Sequence, residues 1–347
     1  MSLALGVNYP WVTCGHDLGP RPPPWAGPPT DFARVEVELS RLRALGIGCA
    51  RFWLLAGGVN YPCGVDPSRH AARRRYPTGF PPRAERWIGA PPALPPAFLE
   101  DLGRLLAVCE RSGVALWPSL ASFEAFLPIV ELASGVTSRG RGALLLHRGF
   151  FDAVLEPVLD VCVAHRAAVR AVELVNEPDW VVRARPAWVA AEALSAWIAE
   201  GAERIARRGL VASVGLVDAR APWLAHGARG RLRRLADRGA YLHQHHHYPS
   251  DSARTLPPAW RSAVRPVWLG ELPTSRHARW HDPGLAEDDD AAYLAARLAL
   301  VEARGYEGAL LWSVRATDPH TRWDAQVEAQ VHASASHAAR ARRADAG

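Results

Sequence analysis

Short apolar runs alternate with longer stretches of helical periodicity along most of this chain, and that alternation limits what it can fold into. The runs predict strands over residues 3–8, 47–54, 114–119, 169–176, 211–216, 240–247, 264–271 and 309–314. Helices are predicted between them over 31–45, 97–112, 148–166, 187–208, 229–238 and 288–304. Thr30 or Asp31 would cap the first helix, and Gly46 and Gly113 would close the first two by adopting positive φ. Strands joined by helical crossovers form parallel sheets. Eight strands on this scheme point to an α/β protein: a closed (β/α)8 barrel in one domain, over residues 1–325. An Ala/Arg-rich tail, 326–347, lacks a strong apolar period and reads as frayed or weakly helical. In such a barrel the site lies at the C-terminal ends of the strands. The loops 56–96 and 121–147 would wall it.

Two strings fall at those ends. Asn176-Glu177-Pro178 closes the fourth strand, and Gly270-Glu271-Leu272 closes the seventh. Two carboxylates delivered into one cavity are what retaining glycoside hydrolysis needs, with Glu177 as acid/base and Glu271 as nucleophile. Pro178 biases Glu177 away from helical geometry. The Asn176 amide suits a sugar 2-hydroxyl. Arg51 shares a strand face with Cys49 and Trp53, and an arginine inside a barrel needs carboxylates, the nucleophile first among them. Glu173 reads as a structural carboxylate of the barrel floor.

On the sixth strand, period two puts Gln244, His246 and Tyr248 on one face and His243, His245 and His247 on the other. If the first set faces inward, Tyr248 donates to the nucleophile and His246 tunes the acid/base or binds sugar. The second set reads as satisfied core histidines. The chain has 14 tryptophans. Trp11, Trp53, Trp180 and Trp312 sit near strand ends, where aromatic faces stack on sugars, and Asn8 ends the first strand. Trp188, Trp197 and Trp268 read as core.

Composition narrows the alternatives. The net charge is +6, and all 41 basic side chains are arginine, with no lysine. These arginines are scattered over alanine-rich helices, which argues against a nucleic-acid groove. No apolar run is long enough to span a membrane. No signal peptide is visible at the N-terminus, so a cytoplasmic location is expected. Five cysteines are an odd number and suggest no disulfide framework. Cys49, Cys109 and Cys162 read as buried hydrophobes, and Cys14 and Cys63 as loop residues.

Together these pieces resemble the clan A glycoside hydrolases, and family five with its cellulases and mannanases in particular. The resemblance runs through Gly6-Val7-Asn8-Tyr9, Ala50-Arg51-Phe52, Glu173 to Pro178, His246-His247-Tyr248, Gly270-Glu271 and Trp312. It implies double displacement on β-linked, gluco- or manno-configured glycans, with the carboxyl groups about 5–5.5 Å apart and no cofactor or metal. The third strand departs from the family: Leu116-Trp117-Pro118-Ser119 carries no histidine where family five members usually have one. Two other readings remain at this stage. One is a non-catalytic glycan-binding barrel, and the other is a metal-dependent barrel hydrolase using the strand-six histidines. A transglycosylase would share every residue named.

Overall fold

The computed structural model describes residues 3–12, 17–19, 29–55, 93–126, 149–184, 187, 189–248, 256–274, 290–315 and 323–345. Most of the two expected wall loops, together with Cys14 and Cys63, lies outside the described residues.

Eight parallel strands close into a barrel in chain order. They are β1 (Ala4–Asn8), β2 (Cys49–Trp53), β3 (Ala115–Ser122), β4 (Val172–Asn176), β5 (Ala212–Leu216), β6 (Tyr241–His246), β7 (Val267–Pro273) and β8 (Gly308–Trp312). Every strand lies where the apolar runs predict one. β3 continues to Ser122, so the start of the expected third-strand loop is strand instead.

The helices are α1 (Phe32–Ala44), α2 (Pro96–Ser112), α3 (Glu156–Ala164), α4 (Asp179–Arg183), α5 (Ala191–Arg207), α6 (His226–Ala236), α7 (Asp290–Ala303) and α8 (Ala325–Asp345). A π-turn, Phe151–Leu155, leads into α3. Among the described residues a 3-10 turn, Ala259–Arg261, is the one helical piece between β6 and β7. Asp31, not Thr30, caps α1, accepting from the Arg34 amide at 3.1 Å. Gly113 ends α2 at φ 67°. Beyond residue 325, where the sequence suggests fraying, α8 is anchored by the buried Val327 and Val331 and by an ion pair from Arg41 to Glu328. No helix among the described residues is long and apolar enough to cross a membrane.

The barrel interior is layered. Cys49, Trp117, Ala171, Leu242, Trp268 and Leu310 pack together at its floor. Above them lies a polar layer of Asn8, Arg51, Ser119, Glu173, Ser213 and Gln244, each buried. Trp53 and Trp312 cluster at the upper end with Trp11 and Tyr248. An unpaired arginine in that middle layer would cost several kcal/mol, so its carboxylates are structurally required. Cys49, Cys109 and Cys162 are buried and free, and burial pushes each thiol up to about 12.

Candidate active site

Arg51 organises the middle of the barrel. Its guanidinium donates twice to Glu173, at 2.6 Å from Nε and 2.6 Å from Nη2. It also reaches Glu271 Oε1 at 2.8 Å, Asn8 Oδ1 at 2.9 Å and Asn176 Oδ1 at 2.6 Å. The sequence expectation named the nucleophile as the natural partner. The structure gives the bidentate pairing to Glu173, the contact with Glu271 being a single arm. Planar guanidinium and carboxylate forks match best when both face each other inside the barrel. Burial works against the guanidinium charge, and Glu173 and Glu271 more than reverse that. Ser119 and Gln244 complete the shell of Glu173, at 3.0 and 2.7 Å.

Three strand pairs change register next to the candidate residues. β4 shifts against β5 between Glu173 and Asn176, β6 against β7 between His245 and His246, and β7 against β8 between Leu269 and Leu272. Such irregularities re-aim side chains at barrel rims. They turn Asn176 and Glu177, His246, and Glu271 toward one point. Glu177 itself has φ 51°, a left-handed backbone unusual outside glycine. Its amide is pinned to the Gly215 carbonyl at 2.9 Å.

Glu271 is held on both oxygens, by Arg51 on Oε1 and by the Tyr248 hydroxyl on Oε2 at 2.5 Å. Burial pushes its carboxyl up and Glu177 adds to the rise, while His246, Arg51 and Tyr248 oppose it. Glu177 meets His246 Nδ1 at 3.0 Å on one oxygen and accepts from Trp180 Nε1 at 2.9 Å on the other. Burial carries its carboxyl up to about 7 against the pull of Trp180 and Arg51. Burial also lowers His246, so its ring is neutral near pH 7.

The His246 ring occupies a slot between two glycines. A Cβ on Gly215 would stand 2.6 Å from its Nε2, and one on Gly270 would stand 2.8 Å from the same atom. The Gly270 of the seventh-strand string therefore serves its neighbour as well as its own strand.

One oxygen of Glu177, one of Glu271 and a ring nitrogen of His246 lie within 4.8 Å of one another. Among the described residues this is the group whose donor types could hold a cation, and it coincides with the two carboxylates. The other strand-six histidines turn away from it, as the alternation predicts. His243 bonds Tyr241 and the Ala219 carbonyl, His245 meets Tyr306, and His247 meets Arg297. The four histidines do not converge on one metal.

The structure brings together Arg51, Asn176, Glu177, His246, Tyr248 and Glu271. Asn176 donates to Ser122 at 3.2 Å while accepting from Arg51. Trp53 and Trp312 pack at a tilt, 5.7 Å between centroids, and Trp11 meets Trp53 at 5.1 Å. Trp180 stands apart from them, 45% exposed beside Glu177. Asn8 is fully buried below the cleft, its amide donating to the Gly270 carbonyl at 3.0 Å. Its Oδ1 accepts from Arg51, so it braces the guanidinium. Gln244, Ser119, Ser122 and Gly215 carry parts of the site that motif reading did not assign. Only the alternation along β6 signalled Gln244.

No protein-family model matches this sequence, and no curated protein sequence matches it. Solved structures do share its fold. An endo-1,4-β-mannanase from Eisenia fetida superposes with a TM-score of 0.63 at 18% identity, covering 95% of this chain and 90% of that one. A β-mannanase from the blue mussel Mytilus edulis gives 0.62 at 16% identity, covering 96% and 92%. A glycoside hydrolase family 5 mannosidase from Rhizomucor miehei gives 0.51 at 13% identity, covering 98% and 94%. The barrel is thus one that family five enzymes also use, in keeping with the sequence resemblance.

Proposed function

We propose that the protein is a retaining glycoside hydrolase acting on β-linked, gluco- or manno-configured glycans. The observation that carries this reading is the pair Glu177 and Glu271, converging at the barrel mouth with opposite surroundings. One oxygen of Glu177 and one of Glu271 lie within 4.8 Å of each other, with a His246 ring nitrogen within the same reach of both. Such a close approach is what the covalent route needs, since its two carboxyl groups stand about 5–5.5 Å apart.

In the first step a Glu271 oxygen bonds to the anomeric carbon. The bond from that carbon to the leaving oxygen breaks, and the Glu177 proton goes to the leaving oxygen. In the second, ionised Glu177 takes a proton from water. The water oxygen attacks the anomeric carbon, and the Glu271 carboxylate departs. Both roles need two protonation states at one pH. Of the two carboxyls only Glu271 accepts directly from Arg51 and Tyr248, so the coupled pair gives up its first proton there and keeps the second on Glu177. Ionising Glu177 becomes easier once the glycosyl ester removes the charge on Glu271.

Asn176 has one amide N–H directed to Ser122 and a second to offer a sugar 2-hydroxyl. Trp53, Trp312 and Trp11 supply apolar faces beside the nucleophile. The mannanases among the fold neighbours favour the manno configuration. The reading is tested by hydrolysis of β-gluco, manno, galacto and xylo aryl glycosides and oligosaccharides, wild type beside Glu271→Ala. Turnover in wild type that disappears in the variant supports it and names the sugar. Undiminished turnover in the variant overturns it.

A further inference from the structure

The aromatic side chains around the two carboxylates form two separate groups. Trp53, Trp312, Trp11 and Tyr248 cluster together, and Tyr248 bonds the nucleophile. Trp180 pairs instead with Phe123, their centroids 6.4 Å apart, and its indole N–H bonds Glu177 Oε2. The leaving oxygen must stand within proton-transfer reach of Glu177. A ring hydrogen-bonded to that same carboxyl borders whatever is attached to the leaving oxygen.

Trp180 is also rigidly placed. It follows Asp179, whose buried carboxylate accepts from the Val217 amide at 3.0 Å and the Trp223 indole at 3.1 Å. Among the described residues the large exposed hydrophobics are Val37, Trp180 and Trp260, and Trp180 alone touches the site. An indole fixed at its N–H and bare on much of its surface is a stacking platform. Flat saccharide C–H faces pack on such rings.

We propose that Trp180, backed by Phe123, is the leaving-group subsite for a saccharide and the positioning residue of Glu177. The group released is therefore itself a sugar, and the same platform receives saccharide acceptors when the intermediate is resolved by transfer instead of by water. This rests on the assignment of Glu177 as acid/base. The indole can only donate. It occupies one lone pair of Oε2, so the acid proton must sit in another, and it stabilises the carboxylate form required in the second step.

The test uses Trp180→Phe, which keeps a ring and loses the N–H, and Trp180→Ala, which loses both. Each is assayed on an oligosaccharide and on an activated aryl glycoside. In Trp180→Phe the alkaline limb of kcat/KM moves up by about half to one pH unit, because the carboxylate has lost a donor. In Trp180→Ala, KM for the oligosaccharide rises about tenfold, while KM for the aryl glycoside changes little. Transfer to an added disaccharide, relative to hydrolysis, falls by a similar factor. An unmoved limb in Trp180→Phe, or an unchanged transfer ratio in Trp180→Ala, overturns the proposal. Glu177→Ala is run alongside. Wild-type hydrolysis of the oligosaccharide in that variant means the acid/base assignment itself is wrong, a result distinct from either failure at Trp180.

Discussion

Glu177 and Glu271 both end barrel strands, yet they are built in opposite ways. Glu271 is tied into the barrel. Arg51 links it to Glu173, Asn8 and Asn176, and Tyr248 closes its other oxygen. Glu177 stands at the rim on a backbone with φ 51°, held by one neutral imidazole and one indole. Burial raises both carboxyls, but only one has a full cation within hydrogen-bond reach. That asymmetry favours ionising Glu271 ahead of Glu177. It also suggests that losses on the two sides will differ in kind, with rate and fold lost together on the Glu271 side and pH behaviour on the Glu177 side.

The strongest way to break the comparison is to remove Glu271, the proposed nucleophile. Glu271→Ala should lower hydrolysis of every substrate by at least about 10⁴-fold, as single knock-outs of nucleophiles do. Glu177→Ala should be nearly as damaging on sugar leaving groups and much milder on activated aryl glycosides in the first step. Equal losses on both substrate classes would erase the distinction. Next comes Arg51→Ala, which strands two buried carboxylates. Removing one partner of such a network costs about 3–5 kcal/mol. Denaturant unfolding should show a loss of that size together with lost activity, and a variant as stable as wild type would place the network's role elsewhere.

Tyr248→Phe removes a single donor to Glu271 and nothing from the fold's polar layer. Loss of one preorganised donor lowers kcat by about 10²-fold, with KM little changed. A rise in KM alone would show that Tyr248 binds sugar and does not serve the nucleophile.

These residues also show what the sequence made legible. The apolar runs placed all eight strands, because each strand is buried on both faces. Period two along β6 separated Gln244, His246 and Tyr248 from the three outer histidines. What it could not show depends on pairing between distant strands. The bidentate Arg51–Glu173 contact spans 122 positions, and the glycine slot around His246 combines β5 with β7. The register shifts that aim the site are properties of strand pairs, invisible in either strand alone. Beyond 325, the buried apolar side chains among the described residues of α8 are Val327 and Val331, too few to give a readable period.

The smallest expected effect is also the sharpest test of the asymmetry. The alkaline limb of kcat/KM should fall near pH 7, where Glu177 loses its proton, and the acid limb should lie above the usual glutamate range because Glu271 is also raised. The same shift has a consequence for stability. A carboxyl that holds its proton more tightly folded than unfolded favours the fold below its unfolded pKa. That contribution is lost as pH rises through the folded value. For Glu177 the window runs from about 4.5 to about 7. The full shift corresponds to about 3 kcal/mol at higher pH. Glu177→Gln removes this ionisation, and its amide oxygen can still accept from Trp180, but its nitrogen then faces His246 Nδ1, and turning that ring nitrogen into an acceptor offsets part of the gain. At pH 8 the variant should therefore be more stable than wild type by about 1–2 kcal/mol, and a few degrees higher in Tm. At pH 4.5 the advantage should vanish. An inactive variant that gains nothing at pH 8 would show that the fold carries no cost for ionised Glu177, and the contrast with Glu271 would then rest on geometry alone.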